Sequence, residues 1–253
     1  MDETLERLQS LVEAATPSYV VTANLNYAML SSRDPRLAAI NDEAAFILAD
    51  GMPLVWAARL ARTPLPERTT GADLVPRLAV LAAERGYRMF LVGGVPQATQ
   101  AAATILRQRC AELNHELDIV GIECPMVDAL SREETQALVS RIQAAKPDIV
   151  LVALGQPKGE LWMARHYRSF GTAVSLQIGA GLDFVAGRVR RAPRWMQRGG
   201  LEWLYRLYEE PKRLWRRYSE NALFLTRVAA QSAARSIEPR WGSRRRLETE
   251  SLY

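Results

Sequence analysis

The stretch R-M-F-L-V-G-G-V-P-Q-A-T-Q-A-A-A-T-I-L-R-Q-R, residues 88–109, decides the fold. Arg88–Val92 reads as a short apolar strand that ends on Gly93-Gly94, and Gln97–Leu113 reads as the helix that follows it. The same unit recurs downstream. Asp118–Ile122 predicts a strand, Ser131–Ala145 a helix, and Asp148–Leu154 a strand ending in Gly155. Pro157–Phe170 predicts a helix with proline in its first turn, where the missing N–H costs nothing, and Thr172–Ile178 a strand ending at Gly179. Short apolar strands separated by helices of about a dozen residues or more imply right-handed βαβ units and a parallel sheet.

Upstream, residues 2–15 read as an amphipathic helix closed by Thr16-Pro17, and Tyr19–Thr22 as a strand emptying into Ala23–Asn26. A helix over Pro35–Ala45 leads to the apolar run Phe46–Ala49, which stops at the turn Asp50-Gly51-Met52-Pro53. Leu54–Arg62 and Leu74–Arg85 complete the helices, with a loop at Thr63–Pro66 between them. The expected fold class is α/β: a Rossmann-like, mostly parallel sheet with flanking helices, plus a helical C-terminal appendage. The expected division is an α/β catalytic domain over 1–195, a basic and aromatic helical appendage over 196–235, and a disordered tail over 236–253.

The charge is uneven. Residues 186–253 hold 16 Lys and Arg against seven Asp and Glu, whereas the first 185 hold 17 against 21. The basic character is local, and it points to a phosphate or anionic-surface contact by the C-terminal quarter. From Gly179 to Arg217 arginines alternate with large aromatics, including Trp195, Trp203, Tyr205, Tyr208 and Trp215. Guanidinium forks suit phosphate oxygens, while the rings suit bases, sugars or a membrane interface. Cys110 and Cys124 form neither a ligand spacing nor a disulfide framework, which fits a reducing compartment. The acidic N-terminus lacks the pattern of a signal peptide, and no apolar run reaches the roughly 18 residues of a spanning helix. The expected location is cytoplasmic, at most on a membrane surface.

Ligands of an open parallel sheet bind outside the carboxyl ends of the strands. Those ends here carry Thr22 and Asn24, Asp50, Gly93-Gly94, Gly155, and Gly179 to Asp183. Glycines there either let backbone N–H groups approach a phosphate or simply serve tight turns. GGVPQA is not G-x-G-x-x-G and no Walker A loop occurs, which disfavours a dinucleotide fold or a P-loop ATPase. Asp50, after an apolar run and before Gly-Met-Pro, is either a general base projecting into a cleft or a cap of the next helix. Asp183, between Leu182 and Phe184, is expected to be partly buried and bonded to Arg188 or to loop amides. His115 and His166 lie far apart without partners at ligand spacing, and no Asp-x-Asp occurs, so no metal site is expected. A departing diphosphate would then have to be neutralised by arginines.

Eight segments together resemble the WecG/TagA/CpsF family of bacterial glycosyltransferases. They are VTAN (21–24), ADGMP (49–53), ERTTGADL (67–74), FLVGG (90–94), KPDIVLVALGQPKGE (146–160), GLDFVAG (181–187), RAPRWM (191–196) and GLEWLYRLYEEPKRLWRRY (200–218). The resemblance implies a metal-independent, inverting transfer of a sugar, of N-acetylmannosamine type or glucose or a uronic acid. The donor would be a UDP-sugar and the acceptor a polyprenyl-pyrophosphate-linked glycan, at the inner face of the plasma membrane, in surface-polysaccharide or teichoic-acid-type biosynthesis. No further cofactor is implied, and a homo-oligomer is left open. By motif, Asp50 resembles the base that deprotonates the acceptor hydroxyl, Thr22 and Asn24 line the same pocket, and Arg68 is another polar contact there. Asp183 falls on a polar position of the site, and Arg206, Arg213 and Arg216 match appendage arginines that fold over the site and hold the diphosphate. The appendage would also dock on an anionic membrane, with no nucleic acid as partner. One departure stands out: the family reads Pro-Lys/Arg-Gln-Glu where this chain has Pro157-Lys158-Gly159-Glu160. Either a different sugar is bound, or Gln156 substitutes from the preceding turn. The competing reading is a non-catalytic module that binds membrane or nucleic acid through its basic, aromatic C-terminus.

Overall fold

The computed structural model describes residues 1–63, 65 and 68–237. Six strands form one sheet: β1 (Ser18–Ala23), β2 (Phe46–Ala49), β3 (Met89–Gly93), β4 (Ile119–Glu123), β5 (Ile149–Ala153) and β6 (Val174–Gln177). Every pairing is parallel, in the order β2-β1-β6-β5-β3-β4. The helices are α1 (Asp2–Glu13), α2 (Leu25–Ser31), α3 (Pro35–Glu43), α4 (Met52–Leu60), α5 (Gly71–Arg85) and α6 (Pro96–Ala111). They continue with α7 (Arg132–Ala144), α8 (Lys158–His166), α9 (Gly181–Val185), α10 (Arg194–Arg198), α11 (Glu202–Glu209) and α12 (Pro211–Ile237).

Alternation along the strands builds two cores. Val20, Leu91, Leu151 and Leu176 face one side, where Leu8 and Val12 of α1, Leu74 and Leu78 of α5 and Leu106 of α6 cover them. Tyr19, Val21, Val92, Val150 and Val152 face the other, beneath Leu37 and Ile40 of α3, Leu138 of α7 and Trp162 of α8. With both faces covered, the strands can be continuously apolar, which is why they read as short unbroken hydrophobic runs. Local signals set the helix starts. Asn24 accepts from the Tyr27 N–H to cap α2, Thr70 accepts from the Asp73 N–H to cap α5, and Ser131 and Glu134 form a reciprocal capping box on α7.

Three local details differ from the expected elements. The strand runs on to Ala23, and the Asn24 cap then starts α2 at Leu25, a helix not among those expected. The turn at Gly179-Ala180 precedes Asp183, which lies in the short helix α9. The predicted helix Pro157–Phe170 finishes as a 3₁₀ turn over Tyr167–Phe170. At the C-terminus, α12 continues to Ile237, two residues into the segment 236–253 expected to be a tail; that expectation for 238–253, and part of the loop at 63–66, lie outside the described residues. No helix among the described residues is long and apolar enough to cross a membrane.

Candidate active site

The strand order places β1, β6 and β5 side by side at the centre of the sheet, with β2 outside β1. The carboxyl ends of these four strands therefore converge, and α11 and α12 cross above them. Between sheet and appendage lies a cavity of about 410 Å³ lined by Thr22, Asn24, Asp50, Gln156, Asp183 and Arg206, among others. Its floor is organised by Gln177, fully buried at the end of β6. The Gln177 Oε1 accepts from Thr22 Oγ1 at 3.1 Å and from the Gly179 N–H at 3.2 Å, while its Nε2 donates to the Leu154 carbonyl at 3.3 Å. One side chain thus ties the ends of β1, β5 and β6 together. Asn24 lines the cavity and also caps α2, so its carbonyl oxygen is already engaged by the Tyr27 N–H at 3.0 Å.

Asp50 follows β2, where its N–H donates to the Ala23 carbonyl at 2.7 Å. It does not cap α4. That position belongs to Gly51, at φ +109° and with no side-chain cap. Among the described residues, no hydrogen bond or ion pair engages the Asp50 carboxylate. Burial pushes it up to about 6 despite the opposing pull of Arg206, with Glu202 raising it and Arg68 and Arg217 lowering it. The side chain sits deep below the surface yet keeps one edge on the water of the cleft, being only partly covered by area. It is ionised at neutral pH and unoccupied by any structural task.

The arginines divide into two groups. Arg68 is ion-paired with Glu202 at 3.5 Å and lies 3.9 Å from Asp73. Arg191 bridges the same two carboxylates, at 2.7 Å to Glu202 and 3.0 Å to Asp73. Burial works against ionised Asp73, but hydrogen bonds from Thr70 and Arg191 hold it below the usual carboxylate range. This square of charges fastens α11 to α5, and it makes Arg68 a structural cation as well as a cleft wall. Arg206 differs: its guanidinium lies over the Phe184 ring at 5.4 Å, and its buried Nε has no partner. Arg217 lines the same cavity, reaches Gln156 Oε1 at 3.4 Å through Nη2, and has a buried Nε without a partner. Neither is in an ion pair among the described residues, so both retain capacity for an anion. Arg213 lines the cavity but is paired with Glu210. Asp183 is paired with Arg188 at 3.1 Å, as expected.

Not every predicted site residue reaches the cavity. Arg216 projects outward, 91% exposed, and pairs with Glu220 one turn on at 3.1 Å. Arg213, Arg217 and Asn221 are four residues apart and share the cleft-facing stripe of α12; Arg216 lies off it. Gly93 and Gly94 also stand apart, because β5 separates β3 from the cleft. Gly93 has φ +97°, and a Cβ there would lie 2.7 Å from the Ala153 carbonyl oxygen. Neither glycine lines the cleft, and both allow close packing of neighbouring loops. Arg191, Arg217 and Glu202 also line the cleft, and Gln177 braces its floor, though none stands among the expected site residues. For Arg217 a signal was present, the spacing from Arg213; for Gln177, inside an apolar strand, there was none.

The departure at Gly159 has a packing reason. A Cβ there would lie 2.9 Å from both the Cβ and the carbonyl oxygen of Leu154, so no longer side chain fits without moving the backbone. Gln156, three residues earlier, lines the cavity instead and accepts from Asn26 Nδ2 at 3.2 Å. Beside the first cavity, a second of about 410 Å³ shares Asp183, Arg206 and Arg213 with it and adds Arg188 and Arg190. Among the described residues, no group of three His, Cys, Asp or Glu could hold a metal ion.

A cleft at the carboxyl ends of a parallel sheet, with an unpaired carboxylate below and guanidiniums outside any described ion pair above, is where an α/β fold of this kind binds its ligands. The comparison with known sequences is more specific. The chain belongs to the WecG/TagA/CpsF family of glycosyl transferases, whose family model matches residues 1–238. It is 32% identical over 224 residues to the N-acetylglucosaminyldiphosphoundecaprenol N-acetyl-beta-D-mannosaminyltransferase of Bacillus spizizenii, covering 88% of this chain and 83% of that protein. Its identity to the protein of the same name from Staphylococcus aureus is 32% over 203 residues, covering 78% and 74% respectively.

Proposed function

We propose that this glycosyltransferase moves a sugar from a UDP-sugar to a polyprenyl-diphosphate-linked acceptor in one inverting displacement, with no metal ion. The observation that carries this reading is the unpartnered Asp50 carboxylate facing Arg206 and Arg217, two cations without carboxylate partners. Asp50 takes the proton from an acceptor hydroxyl as that oxygen attacks the anomeric carbon. The bond from the anomeric carbon to the β-phosphate oxygen breaks, its electron pair leaves with UDP, and Arg206 and Arg217 neutralise the charge. A base titrating near 6 is ionised at neutral pH and still basic enough to accept the proton as the new bond forms.

The relatives' printed name supports an N-acetylglucosaminyl-diphosphoundecaprenol acceptor and an N-acetylmannosamine donor group. Two adjoining cavities that share Arg206 and Arg213 suit two substrates that each carry a diphosphate. A lipid-linked acceptor requires access to a bilayer. The appendage exposes Trp195, Tyr208 and Trp215 at 67%, 80% and 68%, with Leu204 and Leu223 also exposed, in a basic segment. Exposed rings beside arginines support peripheral attachment to an anionic membrane, on the side where UDP-sugars occur.

Purified protein incubated with a lipid-linked N-acetylglucosaminyl diphosphate, a panel of UDP-sugars and excess chelator tests this reading. Turnover with an inverted product anomer is expected. Loss of all turnover in chelator would overturn the metal-free step. Salt-sensitive nucleic-acid binding without any UDP-sugar binding would overturn the enzyme itself.

A further inference from the structure

Beneath the cleft lies a carboxylate that the transfer step leaves unused. Glu160, in the first turn of α8, has no exposed surface, and neither of its oxygens makes a hydrogen bond of good geometry. A buried carboxylate without a cation beside it or a hydrogen bond of good geometry costs stability. Its polar neighbour is Gln156, one turn earlier, whose side chain does line the cleft. The Gln156 Oε1 accepts from Asn26 Nδ2 at 3.2 Å and from Arg217 Nη2 at 3.4 Å. With both of those donors on its oxygen, the amide presents its NH₂ elsewhere, and Glu160 is the acceptor within reach. An amide facing the opposite way would set its own N–H groups against Arg217 and Asn26.

We propose that Glu160 is a positioning residue: its carboxylate fixes which face of the Gln156 amide meets the cleft and thereby seats Arg217, and α12 with it, over the donor diphosphate. This assignment rests on the transferase reading for its chemistry but not for its geometry. Arg217 belongs to α12, which packs across α2 and α4, so an amide turned the wrong way loosens the lid.

The device responds to pH. Burial raises the Glu160 carboxyl to about 7, against the pull of its own backbone N–H, of Gln156 and of Arg217. The groups that face it are few. α12 supplies Arg217, and α2 supplies Tyr27, whose hydroxyl is bonded to Asn41 and is held neutral by burial. β1 supplies Tyr19, also raised by burial and bonded to the Ile40 carbonyl. β5 and β6 carry no ionisable side chain, and Arg36, Asp42 and Glu43 of α3 are exposed. The 3₁₀ turn supplies Arg168, which donates to the Tyr167 hydroxyl. On α8 itself Lys158 is paired with Asp128, and His166 is lowered by burial and by Arg165. Ionised Glu160 accepts from Gln156; protonated, it releases the amide.

Hydrogen exchange of the α12 amides around Arg213–Asn221, in wild type and in Glu160→Gln at pH 6 and pH 8, tests the proposal. At pH 8 the variant is expected to show protection about tenfold lower, and the wild type is expected to lose most of that advantage at pH 6. The lower-titrating Asp50 is present in both proteins and cancels in the difference. Equal protection at both pH values overturns the proposal. Kinetics supply a second readout. Glu160→Gln should lower kcat/KM for the donor about tenfold, because an unseated Arg217 no longer meets the diphosphate, and adding it to Gln156→Leu should cost nothing more. Additive losses would overturn the assignment. Absence of turnover in the wild type would sink the transferase reading, while the exchange measurement would still decide the role of Glu160.

Discussion

The body and the appendage are held together by different forces. The sheet and its flanking helices bury Val20, Leu91, Leu151, Leu176 and their neighbours completely, so its cohesion is apolar and insensitive to charge. The appendage buries little: among the described residues, Leu214 and Asn221 are the buried ones on α12, and α10 and α11 have none. What fastens α11 is the square of Arg68, Asp73, Arg191 and Glu202. The difference is instructive. An appendage attached by ion pairs can be loosened by competing ligand charge, while Asp50 beneath it follows a strand of the rigid sheet.

Substitutions in the appendage sharpen that contrast. The largest effect is expected from Arg206→Ala, which removes a cation that we propose meets the departing diphosphate; kcat should fall about 10²- to 10³-fold with the melting temperature hardly moved. Steady-state kinetics and a thermal scan on the same preparation measure both. Next comes Glu202→Gln, which breaks the square without touching the reacting atoms. It should raise the donor KM several-fold and speed proteolysis of α10–α12 while the body melts as before. If the whole chain destabilised together, the two-region picture would be wrong. Smallest is Arg216→Ala. An exposed pair on one helix face is worth a few tenths of a kcal/mol, so activity on a soluble acceptor should stay within about twofold.

Most of the sheet could be read directly from residues 88–178, because strands covered on both faces are unbroken apolar runs and each is followed by a helix. The elements that could not be read are those decided by a single contact. α2 depends on the Asn24 cap, and α9 is a five-residue helix with no periodicity to detect. The cleft lining was legible where polar residues and strand ends coincide: Thr22, Asn24, Asp50 and Asp183 all line it. The lining is not legible where only packing distinguishes neighbours: Gly93-Gly94 lie away from the cleft against Ala153, and Arg216 and Arg217 differ by one position on a helix. The ion-pair square joins residues more than a hundred positions apart, and no local pattern announces it.

The central claim is that the fold holds Asp50 for chemistry at a cost to itself. Its folded pKa lies above the usual 3.8, so the fold disfavours its charge. The stability it contributes is complete below about pH 4 and is lost as pH rises through about 6. The direct measurement is the melting temperature and turnover of Asp50→Asn beside the wild type from pH 4 to pH 8. The account predicts equal stability at pH 4, a gap opening to about 1–3 kcal/mol in favour of the variant above pH 7, and turnover reduced by at least about 10²-fold throughout the neutral range. A variant less stable than the wild type at pH 8, or one that keeps its turnover, would contradict it.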